Sequence, residues 1–210
     1  MADQLTTAEV TAVLTAACDA IVAAKDRLTQ ADQAIGDGDH GVGMARGFTA
    51  GKQALAEASP GSAGEAFKAV GSAVLATSGG ASGAIFGTLF RAPAKVLDGD
   101  TLDAEGFASA LEAGAEQVMR RGKAQVGQKT MLDALVPAAE AARSAVPDGL
   151  TATARAAADA AAEGVERSAE LVSGFGKSKS LGERSVGHPD PGAISVSVLL
   201  AAMADAIDAS

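Results

Sequence analysis

The chain has no tryptophan and no tyrosine, and six phenylalanines leave it only 3% aromatic. Strand-favouring residues are scarce in the same way. Alanine, the best helix former and small enough to let helices approach closely, supplies much of the 48% hydrophobic fraction, so the composition points to an all-α protein. Cysteine is nearly missing. Cys18 stands alone, which excludes a disulfide within the chain and fits a reducing compartment. Its place on the apolar stripe of the first helical segment makes it a buried structural thiol rather than a nucleophile. Basic residues are outnumbered, 17 against 26 acidic ones, for a net charge of -9. That field repels phosphate backbones and anionic bilayers, so no nucleic-acid or membrane-surface partner is expected. A phosphorylated ligand would need a local device, such as a cation, to reverse the sign. Long hydrophobic runs are lacking too. "AISVSVLLAAMADAI" is interrupted by Ser195, Ser197 and Asp205 and is too short to span a membrane. "MADQLTTAEV" is neither basic nor apolar enough for a signal peptide. The expectation is a soluble, cytoplasmic protein, with 210 residues forming one domain because no shift of composition divides them.

Helical patterns fill most of the chain. Val10, Val13, Leu14, Ala17, Ile21, Ala24 and Leu28 recur at spacings of three and four, one face of a helix that Thr6 and Glu9 can open as a capping box. Seven breaks follow: "IGDGDHG", "ASPGSAG", "SGGASG", "LDGDT", "RRGKAQVGQ", "VPDGL" and "GFGKSKSLGERSVGHPDPGA". They predict eight helical segments in an antiparallel, up-and-down bundle or barrel. Alternate loops of such a bundle share an end. The second, fourth and sixth breaks are ordinary turn chemistry. The first, third, fifth and seventh combine glycine with Asp, Ser, Lys, His and Arg, so one end collects the chemistry from four loops. The last loop is long for a bundle connection and reads as an ordered wall or lid of that site.

Gly36-Asp37-Gly38-Asp39-His40-Gly41 satisfies G-x-G-x-x-G literally. A dinucleotide fingerprint must follow a buried strand, however, and "LTQADQAI" before it is helical. A calcium-binding EF-hand loop also fails, since position twelve counted from Asp37 is Phe48 instead of a bidentate glutamate. A metal site fits better. Asp32 continues the apolar face one turn beyond Leu28, where a carboxylate needs partners, and Asp37 and Asp39 alternate in the glycine-flanked loop beside it. Three carboxylates and no thiolate favour a hard cation with oxygen ligands, Mg²⁺ first, which completes its octahedron with water and substrate phosphates. The other loops supply what phosphate requires. Ser78 to Gly83 put small residues before a helix, where free N–H groups and the dipole favour anions, although close helix packing would use the same residues. Gly122 lets a ligand approach, Met131 opens the next helix, and Lys177, Lys179, Arg184 and His188 add positive groups at the acidic end.

At this point the sequence resembles the nucleotide-binding (L) subunit of dihydroxyacetone kinase and the corresponding domain of the single-chain kinases. "IGDGDHGVGMARGF", "GGASGAIFGTLF", "RGKAQVGQKTMLDAL" and "LGERSVGHPDPGA" carry the likeness, in family order, over about a quarter of the chain. The resemblance implies an antiparallel eight-helix barrel holding a Mg-nucleotide, ADP or ATP, at one end. It implies that Asp32, Asp37 and Asp39 hold two Mg²⁺ ions bridging the phosphates. His40, Gly41, Val42, Gly43, Ala81 and Ser82 would contact the nucleotide, Gly122 and Met131 would flank base and ribose, and Pro189, Asp190 and Pro191 would form the far wall. Lys177 stands where an arginine is common, Gly43 where many relatives have Asn, and Gln128 where many read G-D-K-T-M. The ketone would sit on a partner K subunit, bound covalently to that subunit's histidine. The donor is then either ADP kept as a coenzyme and rephosphorylated by a phosphotransferase-system protein, or exchanging ATP. A kinase subunit for another short ketose, such as a four-carbon one, and a non-catalytic nucleotide-binding regulatory subunit are the alternatives. The fatty-acid kinase nucleotide domain ranks lower, since it usually has Thr at the position of His40.

Overall fold

The computed structural model describes residues 4–210; Met1–Asp3, at the start of "MADQLTTAEV", lie outside the described residues. Nine α-helices are formed among those residues: α1 (Thr7–Ala23), α2 (Lys25–Ile35), α3 (His40–Ala58), α4 (Ala63–Thr77), α5 (Gly80–Arg91), α6 (Ala104–Gly122), α7 (Leu132–Ala145), α8 (Leu150–Glu170) and α9 (Pro191–Asp208). Each of the seven glycine-bearing breaks coincides with a junction between successive helices. The capping box opens α1 as expected: Thr6 N donates to Glu9 Oε2 at 2.7 Å and Glu9 N to Thr6 Oγ1 at 3.4 Å. The additional helix comes from a bend of 56° between α1 and α2 at Ala24, so the first of the eight segments is a broken one.

Contacts define a closed ring. Going round it, α1 packs on α3, then each helix from α3 to α9 on the next, and α9 returns to α1. The helix α2 lies outside the ring order, against α3, α9 and the segment Lys177–Ser185. Phe67, Phe90, Phe107, Leu135, Leu199 and Met203 are among the side chains filling the interior, where an apolar cavity of about 30 Å³ remains. Alanine has its largest effect between α7 and α8. Ala134, Ala138, Ala142, Ala154, Ala157 and Ala161 are completely buried, and a Cβ on Gly164 would lie 2.5 Å from the Asp133 carbonyl oxygen. Pro137, inside α7, has no N–H to donate to that carbonyl, which leaves it open to the close approach of α8.

At the end carrying the plain turns, β1 (Gln4–Thr6) pairs antiparallel with β2 (Thr101–Asp103), Leu5 opposite Leu102. Both leucines are buried. The helix α9 has 18 residues and a mean hydropathy of 1.4, long and apolar enough by composition to cross a bilayer. Its apolar side chains Ile194, Val196, Leu199, Leu200, Met203 and Ile207 are instead buried in the ring.

Candidate metal centre and its cavity

The first, third, fifth and seventh breaks meet, as their order along the chain requires, around one cavity of about 670 Å³. Its acidic side is built by the connection from α2 to α3. Gly36 ends α2 with φ −143° and ψ −146°. A Cβ there would fall 2.2 Å from Asp32 Oδ1, so glycine makes the room in which the Asp32 carboxylate sits. Asp32 Oδ2 then accepts from His40 N at 3.1 Å, capping α3 from the preceding helix. Asp39 occupies the N-cap position itself but makes no cap bond, which frees its side chain for the cavity. One oxygen from each of Asp32, Asp37 and Asp39 lies within 4.8 Å of the others.

Lys177 reaches this cluster from the seventh break. Its Nζ pairs with Asp37 Oδ2 and, at 3.3 Å, with Asp39 Oδ2. The ammonium holds the Asp37 carboxyl below the ordinary carboxylate range, and the two carboxylates hold Lys177 above the ordinary lysine range. Three convergent carboxylates that already gather a cation, with no thiolate or ring nitrogen among them, fit a hard divalent ion with oxygen ligands such as Mg²⁺.

Next to the cluster, His40 is buried and both ring nitrogens are engaged: Nδ1 with Ser82 Oγ at 2.9 Å and Nε2 with Ser195 Oγ at 2.8 Å. Ser195 Oγ spends its single proton on the Pro191 carbonyl at 3.0 Å, so Nε2 must donate and Nδ1 must accept from the Ser82 hydroxyl. Burial lowers the His40 pKa, against the raising effect of Asp32 and Asp39, consistent with a neutral ring. The helix α5 begins beside it. Gly79 and Gly80 have φ of +76° and +60°, a conformation that favours glycine. The first helical bond there is Gly83 N to Gly79 O, so the N–H groups of Gly80, Ala81 and Ser82 have no acceptor within the helix.

On the far side, Asp133 accepts from Thr130 N at 2.7 Å and from Gly127 N, which ties down the fifth break. This lets Lys129, at φ +57° and 1% exposed, reach the end of α8. Its Nζ donates to the carbonyls of Ser168 at 2.6 Å, Leu171 at 3.0 Å and Ala169 at 3.4 Å. Desolvation lowers the Lys129 pKa while Asp190 and Asp133 oppose the shift. Asp190 caps α9 by accepting from Ala193 N at 2.8 Å; burial and Asp133 raise its carboxyl pKa to about 7, against that bond and Lys129. Ile85, Val118, Met131, Leu132 and Phe175 give the same cavity apolar lining, and a Cβ on Gly122, another lining residue, would lie 3.4 Å from Ile85 Cδ1.

Most of the residues singled out from the sequence therefore line one space: Asp32, Asp37, Asp39, His40, Val42, Gly43, Ala81, Ser82, Gly122, Met131, Lys177, Asp190 and Pro191. Gly41 and Pro189 are placed elsewhere. Gly41 is buried against α2, where a Cβ would meet the Lys25 carbonyl oxygen at 2.2 Å and Thr29 N at 2.6 Å; it is a packing glycine. Pro189 is half-buried beside the cavity wall without lining it. The cavity also holds residues that sequence reasoning passed over: Arg46, Arg121, Lys129 and Phe175. Arg46 had a usable signal, since it lies one helical turn beyond Gly43 on the same face of α3.

A closed ring of antiparallel helices thus gathers, at one end, carboxylates suited to a hard cation and an open helix N-terminus suited to an anion. Residues 34–205 match the model of the DAK2 domain, and the chain belongs to that family. It is similar to the ADP-binding subunit DhaL of the PEP-dependent dihydroxyacetone kinase 1 of Listeria innocua, 40% identical over 179 residues, 85% of this chain and 86% of that subunit. It is 35% identical over 181 residues to the L-erythrulose 1-kinase of Mycolicibacterium smegmatis, 85% of this chain but 32% of that longer protein. Among solved structures, the dihydroxyacetone kinase from C. freundii in complex with AMP-PNP and Mg²⁺ matches 94% of this chain and 34% of its own, with a TM-score of 0.70 and 25% identity.

Proposed function

We propose that this chain is the nucleotide-binding subunit of a dihydroxyacetone kinase. It holds Mg-ADP or Mg-ATP at the acidic end of the barrel and presents the phosphoryl donor to a small ketone on a partner K subunit. The observation that carries the reading is the convergence of Asp32, Asp37 and Asp39 beside the open first turn of α5. Asp32, Asp37 and Asp39 would hold Mg²⁺, two ions in this reading, which would supply charge neutralisation to the phosphoryl donor.

The remaining work falls to the chain itself. Asp32 is held in position by its bond from His40 N. The N–H groups of Ala81 and Ser82 donate to anionic oxygens, reinforced by the dipole of α5. His40, with both ring nitrogens engaged, neither takes nor gives a proton; it fixes the rotamer of Ser82. Ile85, Val118, Met131 and Phe175 enclose the base, and Gly122 leaves it room to enter. A subunit that presents a donor in this way needs no nucleophile of its own.

Surface composition supports a partner at this end. Five of the seven exposed large apolar side chains among the described residues, Val42, Val126, Val172, Phe175 and Val186, belong to the first turn of α3 or to the connections from α6 to α7 and from α8 to α9. In the donor scheme favoured by the L. innocua relative's PEP dependence, ADP stays bound and a phosphotransferase-system protein recharges it in the cytoplasm, where the single thiol stays reduced. Since the ketone pocket lies on the K subunit, a four-carbon ketose is served by the same chain, in keeping with the erythrulose kinase likeness.

Calorimetry tests the core of this reading. The purified chain is expected to bind ADP only when Mg²⁺ is present and, mixed with a K subunit and a phosphoryl donor, to support phosphorylation of dihydroxyacetone. Absence of Mg-dependent ADP binding overturns it. Retention of ADP through gel filtration supports the coenzyme scheme, and ready loss of ADP supports exchanging ATP.

A further inference from the structure

We infer that Arg46 is a phosphate-binding residue of this cavity, grasping the ligand's polyphosphate from the α3 side while it fixes the turn that leads into α5. The ligand class rests on the functional reading above; the anion site is argued from the residues alone.

Gly43, Arg46 and Gly47 share one face of α3, and that face carries the connection between α4 and α5 directly. A Cβ on Gly43 would be 3.1 Å from the Ser78 carbonyl oxygen, and one on Gly47 would be 1.7 Å from Ser78 Oγ. With the turn lying on the helix backbone, the Arg46 side chain extends along it. Its Nε donates to the Thr77 carbonyl at 2.7 Å and its Nη2 to the Ser78 carbonyl at 2.5 Å. These carbonyls end α4, the negative pole of one helix, immediately before the positive pole of the next. By covering them, the guanidinium removes the unfavourable neighbour an anion would meet at α5.

The guanidinium is also available. It carries five N–H donors, of which two are used on these carbonyls. No carboxylate among the described residues pairs with it, although Asp32, Asp37 and Asp39 line the same cavity. The other cations differ: Lys177 is engaged by two aspartates and Lys129 by three carbonyls. Arg121, at the end of α6, also lacks a partner among the described residues, but it makes no bond to the Thr77 and Ser78 carbonyls that would tether it to the α5 turn. Arg46 is thus a planar donor fork, tethered beside open helix N–H groups and free of any internal counter-ion, an arrangement suited to phosphate.

The test is titration calorimetry of the full chain with Mg²⁺ and, separately, AMP, ADP and inorganic pyrophosphate, comparing wild type, Arg46→Gln and Arg46→Lys. Thermal unfolding of each variant is measured alongside. Arg46→Gln is expected to weaken ADP and pyrophosphate by about ten-fold or more, the loss of charge-assisted bonds, and AMP by less. Arg46→Lys, which keeps the charge without the fork, recovers only part of the loss. Equal losses for AMP and ADP, or an Arg46→Gln variant within two-fold of wild type for both ADP and pyrophosphate, overturn the assignment. A wild type that binds pyrophosphate through Arg46 but binds neither nucleotide overturns the kinase reading and leaves the anion site standing.

Discussion

Lys129→Met isolates the contribution of the most buried cation in the molecule. The substitution keeps an unbranched stem of similar length at the same φ of +57°, so the backbone term is nearly unchanged. What disappears is a charged donor to Ser168 O at 2.6 Å and Leu171 O at 3.0 Å, with Ala169 O more distant at 3.4 Å. Two charge-assisted bonds contribute ~1.5 kcal/mol each at the low end of their range. Asp133 and Asp190 also lose the positive charge set against them. Relief of the ammonium's own desolvation offsets part of this, and removing one member of a buried charged network typically costs ~3 kcal/mol or more. For a chain of this size that is a fall in Tm of roughly 6–12 °C, read by scanning calorimetry. Lys177→Met is the contrast. Its ion pairs are mostly exposed, with side-chain exposures of 63% for Lys177 and 50% and 70% for its two partners, so a Tm change of under about 3 °C is expected. A Lys129→Met protein that melts within about 2 °C of wild type refutes the reasoning, because the end of α8 would then not depend on Lys129.

Asp37→Asn is expected to abolish Mg-dependent ADP binding in calorimetry while leaving the far-ultraviolet circular dichroism unchanged, since the side chain is exposed and bonds only Lys177. Gly41→Ala should destabilise by ~2–3 kcal/mol in urea denaturation, because a Cβ 2.2 Å from the Lys25 carbonyl oxygen forces α2 and α3 apart. Cys18 has no exposure, and burial pushes its thiol up to about 12. A raised thiol pKa keeps the thiolate scarce at pH 8, so a disulfide reagent should modify no thiol in the native protein and one after denaturation.

The sequence carried the ring and one wall of the cavity because their signals are local. Glycine marks each of the seven breaks, and the alternation of the breaks assigns the four chemical loops to one end. Asp32, Asp37 and Asp39 fall within eight residues of chain, and they converge. What escaped was set by contacts distant in sequence. The bend at Ala24 has neither glycine nor proline; it lies one residue before Lys25, whose carbonyl comes close to Gly41 of α3. The strand pair joins three residues to three others almost a hundred positions away, through little more than Leu5 opposite Leu102. Gly41 sits inside the acidic motif yet serves packing, which only the position of α2 reveals. Lys129 has the composition of a solvated loop residue, and its burial follows from Asp133 fixing the loop around it.

Charge explains how an acidic chain can serve a phosphorylated ligand. The protein carries a net charge of -9, a field that by itself repels nucleotides. The cavity lining departs from that average, with Asp32, Asp37, Asp39 and Asp190 balanced in number by Arg46, Arg121, Lys129 and Lys177. The balance is also segregated. Three carboxylates form one cluster with Lys177 drawn to them, whereas Arg46 lies on the α3 face beside the open turn of α5. A divalent ion at the aspartates would compete with Lys177 for the same oxygens and tip the local sum to positive, so that, under the proposed function, phosphate would be attracted once metal is present. Metal and nucleotide binding would then be reciprocally coupled, as linkage requires. Raising Mg²⁺ should tighten ADP in wild type, and the dependence should be lost in Asp37→Asn rather than merely shifted.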